Sequence, residues 1–342
     1  MRKQSIKKII AFLLIGVMIL SLVGCGGSGN SSDKAVTIRM SHTQAPNSVS
    51  DLTAKEFARL VSERSQGKIK VDIYSNCGLS GGDLTKAIEM VQTGDIDIHS
   101  AAPANIANFD AKFYVFWLPY LFPTVEDLVN ATKNEAIIAE VNSWLSPMNM
   151  TMLGLNNAGS RQITNSKKEI KLPEDLKGMN IRVPGANLFI DLYKNYFGAN
   201  PTAMDFSEVY TALQQGTIDG QENPISVFSS SKLNEVQNYV TLWDGVRDTT
   251  IWVMNNKRLE GLTPEDKIII EEAAIEAMEW GNKYLAENEE KIIKELEESG
   301  TIFTHLTDSE IQEFKDVSSP IYDQYADQIG QEVINLFRNA SK

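Results

Sequence analysis

The chain has 342 residues, 42% of them hydrophobic, and a formal net charge of -13, which becomes -17 once its first four basic residues, Arg2, Lys3, Lys7 and Lys8, are set aside. Such an acidic surface excludes nucleic acid, whose phosphates need a positive face. It also repels anions at long range, so an anionic ligand needs a local arginine cluster inside a cleft.

The chain opens on those four basic residues and continues in an apolar run, Ile9 to Val23, too short to span a bilayer comfortably. The run ends in Leu22-Val23-Gly24-Cys25, which resembles a bacterial lipobox. On that reading residues 1–24 are a lipoprotein signal peptide and Cys25 carries lipid. Residues 25–35 are then a polar, flexible tether that anchors a folded domain to the membrane. An ordinary cleaved signal peptide and an uncleaved anchor are the alternatives. Cys77 is the other cysteine, so no disulfide is expected in the exported part, and a core drawn from about 300 residues can do without one. A packed thiol is expected there. No cysteine–histidine cluster suggests a metal, and no cofactor is implied.

Val36 to Met40 alternates apolar and polar residues as a half-buried strand does. Asp51 to Glu63 reads as a helix, Ile69 to Tyr74 as a second strand, and Asp83 to Thr93 as a second helix ended by Gly94. Strand and helix in alternation predict an α/β domain with a largely parallel sheet. Val91-Gln92-Thr93-Gly94-Asp95-Ile96-Asp97 is echoed by Leu213-Gln214-Gln215-Gly216-Thr217-Ile218-Asp219, which points to two similarly built lobes. His42 and Asp83 stand at strand-to-helix connections, where cleft residues gather. Between them, Gly78-Leu79-Ser80-Gly81-Gly82 fits the G-x-S-x-G pattern of a hydrolase elbow. The preceding strand carries Lys68, Lys70 and Asp72 in alternation, unlike a strand buried on both faces, and His99 and His305, the histidines that follow, have no triad setting.

From Gly178 a short strand leads to Arg182-Val183-Pro184, and Phe189, Leu192, Tyr193 and Tyr196 form one face of a helix behind it. Pro184 keeps the approach extended, so the guanidinium sits on a rigid strand end. A planar fork held so takes a carboxylate through two parallel hydrogen bonds. Phe206-Ser207-Glu208-Val209-Tyr210 and Asp219-Gly220-Gln221-Glu222-Asn223-Pro224 follow in order. Thr263 to Ser299 then reads as one long helix, with Thr263 as cap, Pro264 at the first position and Gly281 as a place for a bend. At about 1.5 Å per residue it would be on the order of 50 Å long.

This ordered run from Arg182 to Pro224 resembles the signature of the DctP-type substrate-binding proteins that serve TRAP transporters, importers of carboxylated solutes. The resemblance implies a two-lobe α/β periplasmic-binding-protein fold (type II-like), with the long helix spanning both lobes. Lobe I would comprise residues 36–158 and 249–288, and lobe II residues 159–248 and 289–342. It implies that Arg182 clamps the ligand carboxylate, that Asn223 helps hold it, and that Phe206 lies against its apolar body, with packing on the helix that begins near Ser207 as its alternative role. Arg161, in Gly159-Ser160-Arg161-Gln162, is a second pocket arginine, with a salt bridge to an acidic neighbour as its alternative role. His42, more often in such a place a structural hydrogen-bonding histidine than a ligand contact, and Asp83 complete the candidate set. The implied function is an extracytoplasmic, membrane-anchored receptor, not an enzyme. It would deliver a C4-dicarboxylate or a sugar acid to TRAP membrane subunits. Trp243 and Trp252 suit sugar faces, or else belong to the core. The chain departs from the family pattern at Cys77-Gly78-Leu79, Ala101-Ala102-Pro103 and Trp243-Asp244-Gly245, where ligand identity would be written. A sensory receptor, an ATP-driven importer's receptor and a hydrolase built on Ser80 are the rival readings.

Overall fold

The computed structural model describes residues 35–340. The basic start, the apolar run, Cys25 and residues 26–34 of the tether lie outside the described residues. The first elements are β1 (Val36–His42), α1 (Val49–Arg64), β2 (Ile69–Tyr74), α2 (Leu84–Thr93) and β3 (Ile98–Ala101). Short turns, including Ala111–Trp117, lead to α3 (Val125–Lys133), α4 (Glu135–Leu145) and the long strand β4 (Met150–Asn165). Next come β5 (Asn180–Val183), α5 (Asn187–Asp191), β6 (Asn200–Ala203), α6 (Phe206–Gln214), β7 (Gly220–Pro224) and α7 (Ile225–Ser230). The second long strand, β8 (Tyr239–Asn255), precedes α8 (Asn256–Glu260), α9 (Pro264–Glu298), β9 (Ile302–His305), α10 (Asp308–Ser318), α11 (Ile321–Ile329) and α12 (Gln331–Ala340). No described helix is long and apolar enough to cross a membrane.

The helix starts follow their cap residues. Ser48 accepts from the Asp51 N–H, Asp83 from Lys86 at 2.8 Å, and Thr263 from Asp266, with Pro264 in the first turn. Gly94 ends α2 in the left-handed region, at φ 87°, where its N–H reaches back to Met90 and Val91.

One sheet runs through the molecule in the order β2-β1-β3-β8-β4-β7-β5-β6, with β9 on β8. It is mixed, and this corrects the largely parallel sheet expected from strand–helix alternation. β1 with β3, and β5 with β6 and β7, are parallel, whereas β8 is antiparallel to β3 and β4. The alternation was legible only at the two ends, because between them the 16- and 17-residue strands β4 and β8 pair antiparallel although residues 166–238 separate them in the chain. Register shifts interrupt the β4–β8 ladder between Met152 and Gly154, Asn157 and Gly159, and Arg161 and Ile163.

The sequence echo has a physical basis. Asp97 and Asp219 each follow a glycine-capped helix, and each carboxylate accepts the backbone N–H of an earlier strand: Arg39 at 2.7 Å and Asn180 at 2.9 Å. Each aspartate also returns its own N–H to the carbonyl of that same residue.

α9 is a single unbroken helix of 35 residues, not two helices divided at Gly281. Gly281 serves close packing: a Cβ there would collide with Thr53 Oγ1 and lie 3.1 Å from its Cγ2 on α1. α11 and α12 pack on the 111–145 segment. Phe337 meets Phe116 edge-on at 4.9 Å, and the Tyr322 hydroxyl donates to the Pro119 carbonyl at 2.8 Å. The C-terminal helices, placed in lobe II by the sequence reading, thus touch a segment placed in lobe I. Trp243 and Trp252 belong to the core. Trp243 lies among Phe197, Phe314 and Tyr120, and Trp252 sits on the edge of Phe57, each at most 1% exposed.

Candidate functional site

Where β4 and β8 pass between the halves of the sheet, a cleft opens with about 740 Å³ free of protein atoms, part of it open to solvent. Arg161, Asn156 and Asn157 reach it from β4, Asp248 and Thr250 from β8, and Arg182 from the tip of β5. Ser48 and Ser50 at the start of α1, Trp117, Phe206 and Asn223 also line it.

Arg182 sits on a strand fixed on both edges, opposite Thr202 of β6 and Gln221 of β7. It is 2% exposed, and no carboxylate of the described residues pairs with it. Its Nε and Nη2 both donate to the Met204 carbonyl, at 2.9 and 2.6 Å, and the guanidinium lies 5.7 Å from the Phe206 ring centre. A guanidinium has five N–H donors, so three remain for a ligand. Burial lowers its pKa from 12.5 to about 10, against the pull of Glu222 and with the push of Arg161. It is still charged at neutral pH, and no carboxylate of the described residues contacts it, although Glu222 and Asp205 attract it from farther off.

Arg161 is different. Its Nε bonds Glu222 Oε2, its Nη1 bonds Asp248 Oδ2, and its Nη2 reaches Glu222 Oε1 at 2.7 Å and Asn223 Oδ1 at 3.2 Å. The guanidinium lies 4.9 Å from the Trp117 ring centre. Burial opposes its charge, but Glu222 and Asp248 overcome that and hold its pKa above the ordinary value. Burial also pushes the Glu222 carboxyl up, and Arg161 pulls it back through two parallel contacts. Asp248 is further held by Trp117 Nε1 at 2.8 Å and by the Thr249 N–H at 3.0 Å. The salt-bridge alternative for Arg161 is therefore realised, although the residue does line the cleft.

Of the other expected residues, Phe206 and Asn223 line the cleft. The Asn223 amide is partly engaged, with Oδ1 on Arg161 and Nδ2 on Gln221 Oε1. His42 and Asp83 are not brought to it. His42 is fully buried, with Nε2 3.2 Å from Asp51 Oδ1, and Asp83 caps α2. A position after a strand gathers cleft residues only when the side chain points along the strand, and His42 points sideways into the α1 packing. The Ser80 hydroxyl donates to the Cys77 and Asp83 carbonyls, and no histidine contacts it. The glycine loop has another use: a Cβ on Gly82 would lie 2.8 Å from Ser207 Oγ, so the bare loop lets α6 approach. Cys77 is packed, and burial pushes its thiol up to about 12. Trp117, Asp248 and the Gln44–Ser50 corner were not anticipated. Phe113 to Trp117 reads as core from composition, and nothing in sequence joins Asp248 to Arg161, 87 residues away. No cluster of metal-ligating side chains occurs among the described residues.

The family model described as "Bacterial extracellular solute-binding protein, family 7" (DctP) matches residues 40–328. The 2,3-diketo-L-gulonate-binding periplasmic protein YiaO of Escherichia coli (strain K12) is 30% identical, covering 91% of this chain and 94% of its own. The sugar acid binding protein DctPAm of Advenella mimigardefordensis, solved with galactonate, superposes with a TM-score of 0.86. It shares 29% identity and covers 90% of this chain and 98% of its own. A TRAP periplasmic solute binding protein of Shewanella oneidensis, solved with succinate, gives 0.84 at 28% identity over 90% and 99%. The chain belongs to the DctP family, the solute-binding receptors of TRAP transport, and is a binding protein rather than an enzyme.

Proposed function

We propose that this chain is an extracytoplasmic receptor that captures a small organic acid, a C4-dicarboxylate or a sugar acid, and presents it to TRAP membrane subunits. The observation that carries this reading is Arg182, a buried cation lining the cleft with free donors and no protein carboxylate. A ligand carboxylate supplies the missing counter-ion through two parallel hydrogen bonds. Phe206 lies against the ligand body, and Asn223 offers its remaining amide hydrogen. Similar proteins solved with galactonate and succinate support the ligand class.

The lobes we propose are residues 36–158 with 249–288, and 159–248 with 289–342, which hinge around the ligand while α11 and α12 bridge from the second lobe onto the 111–145 segment of the first. The register shift between Asn157 and Gly159 supports the division. Closure excludes water and strengthens the Arg182 contact. A thermal-shift screen of organic acids tests the assignment. Binding acids raise the melting temperature, and a panel that leaves it unchanged removes the receptor reading. We further propose lipidation at Cys25. The intact protein should then partition into detergent, and Cys25→Ser should move it to the aqueous phase. Aqueous partitioning of the unaltered protein would rule the anchor out.

A further inference from the structure

We propose that Asp248, acting with Glu222 through Arg161, limits the ligand to a single carboxylate on a hydroxylated chain. This inference rests on the Arg182 clamp and narrows the substrate class of the same site. The charged side chains that line the cleft are Arg161, Arg182 and Asp248. Arg161 already faces two carboxylates, Glu222 and Asp248, and one Nη1 hydrogen is left to it. Arg182 is thus the one lining cation without a carboxylate. Two arginines, two protein carboxylates and one ligand carboxylate already leave the closed cleft one negative charge in excess. A second ligand carboxylate would add another beside Asp248, where water is excluded and like charges repel strongly.

The rest of the lining suits hydroxyl groups. Thr43, Ser48, Asn105, Asn156, Ser226 and Thr250 offer donors and acceptors without charge. The Gln44 amide oxygen, on a lining residue, is buried without a hydrogen-bond partner. A ligand hydroxyl can donate to it, and a carboxylate cannot.

The test uses acids that differ only at the far terminus. Erythronate and meso-tartrate, and likewise galactonate and galactarate, differ in that a terminal CH2OH of one is a carboxylate in the other. Calorimetry on the intact protein should show the monocarboxylate of a pair binding at least tenfold more tightly. Asp248→Asn, which removes one anion from the lining, should narrow that ratio at least tenfold, and Glu222→Gln should move it the same way. The wild-type ratio stands as a test even where a variant fails to fold. A dicarboxylate bound as tightly as its partner acid overturns the limit but leaves the Arg182 clamp intact. A ratio unchanged in a folded Asp248→Asn variant also overturns it. Failure of all four acids to bind, while an organic acid without hydroxyl groups does, overturns the hydroxylated class alone. Failure of every organic acid overturns this inference and the receptor reading together.

Discussion

Replacing Arg182 with methionine separates a ligand-binding role from a structural one. The wild-type charge is buried without a partner, and its fall from 12.5 to about 10 represents on the order of 3 kcal/mol against the charged form. Methionine removes that cost and roughly keeps the volume, but strands the Met204 carbonyl that now accepts two hydrogen bonds, a loss of about 1–3 kcal/mol. These effects oppose each other, so the ligand-free variant should melt within a few degrees of wild type. Ligand binding has no such compensation. Removing one member of a buried charged pair costs about 2–5 kcal/mol, roughly 30-fold to several thousandfold in Kd. Calorimetry should therefore show affinity collapsing while ligand-free stability holds. Arg182→Lys should also bind poorly, because an ammonium cannot satisfy the Met204 carbonyl and a two-point carboxylate contact together. Wild-type affinity in Arg182→Met, or a large fall in its ligand-free melting temperature with affinity kept, would refute the clamp.

Two further outcomes concern stability. Gly281→Ala should destabilise by about 1–3 kcal/mol despite the gain in helix propensity, since its Cβ meets Thr53. Adding Thr53→Ala should recover part of the loss in thermal melts, and simple additivity of the two changes would show that the contact is not the cause. Burial, with His42 nearby, pushes His99 down to about 3, far below its ordinary 6.5. The unfolded chain then binds a proton that the folded one refuses, so stability declines as pH falls from about 6.5 toward 3. His99→Asn should flatten that decline between pH 6.5 and 4.5, above the range where carboxylates held low in the fold, such as Asp51 and Glu56, begin to take up protons in the unfolded chain. An unchanged slope in melting temperature against pH would count against it.

The elements that sequence announced were those with local causes. The Ser48, Asp83 and Thr263 caps, the Gly94 stop and the Gly-x-Ile-Asp echo all act within a few residues of themselves. Arg182 was legible because the rigidity of its strand end is written beside it in Val183-Pro184. What escaped depended on distant partners. The mixed sheet follows from β8 pairing with strands far earlier in the chain, and the neutralisation of Arg161 needs Glu222 and Asp248 to arrive from β7 and β8. His42 has a local partner, Asp51, and its structural role was one of the two open readings; only the packing of α1 decides that the ring does not line the cleft. Gly281 looked like a weak point because a helix pattern carries no record of the neighbour that crosses it.

β8 lies between β3 and β4 in the sheet but follows both in the chain. Until residue 255 has been made, the middle of the molecule is missing, and the first half exposes two unpaired strand edges. Assembly must therefore wait for most of the polypeptide, which delays collapse.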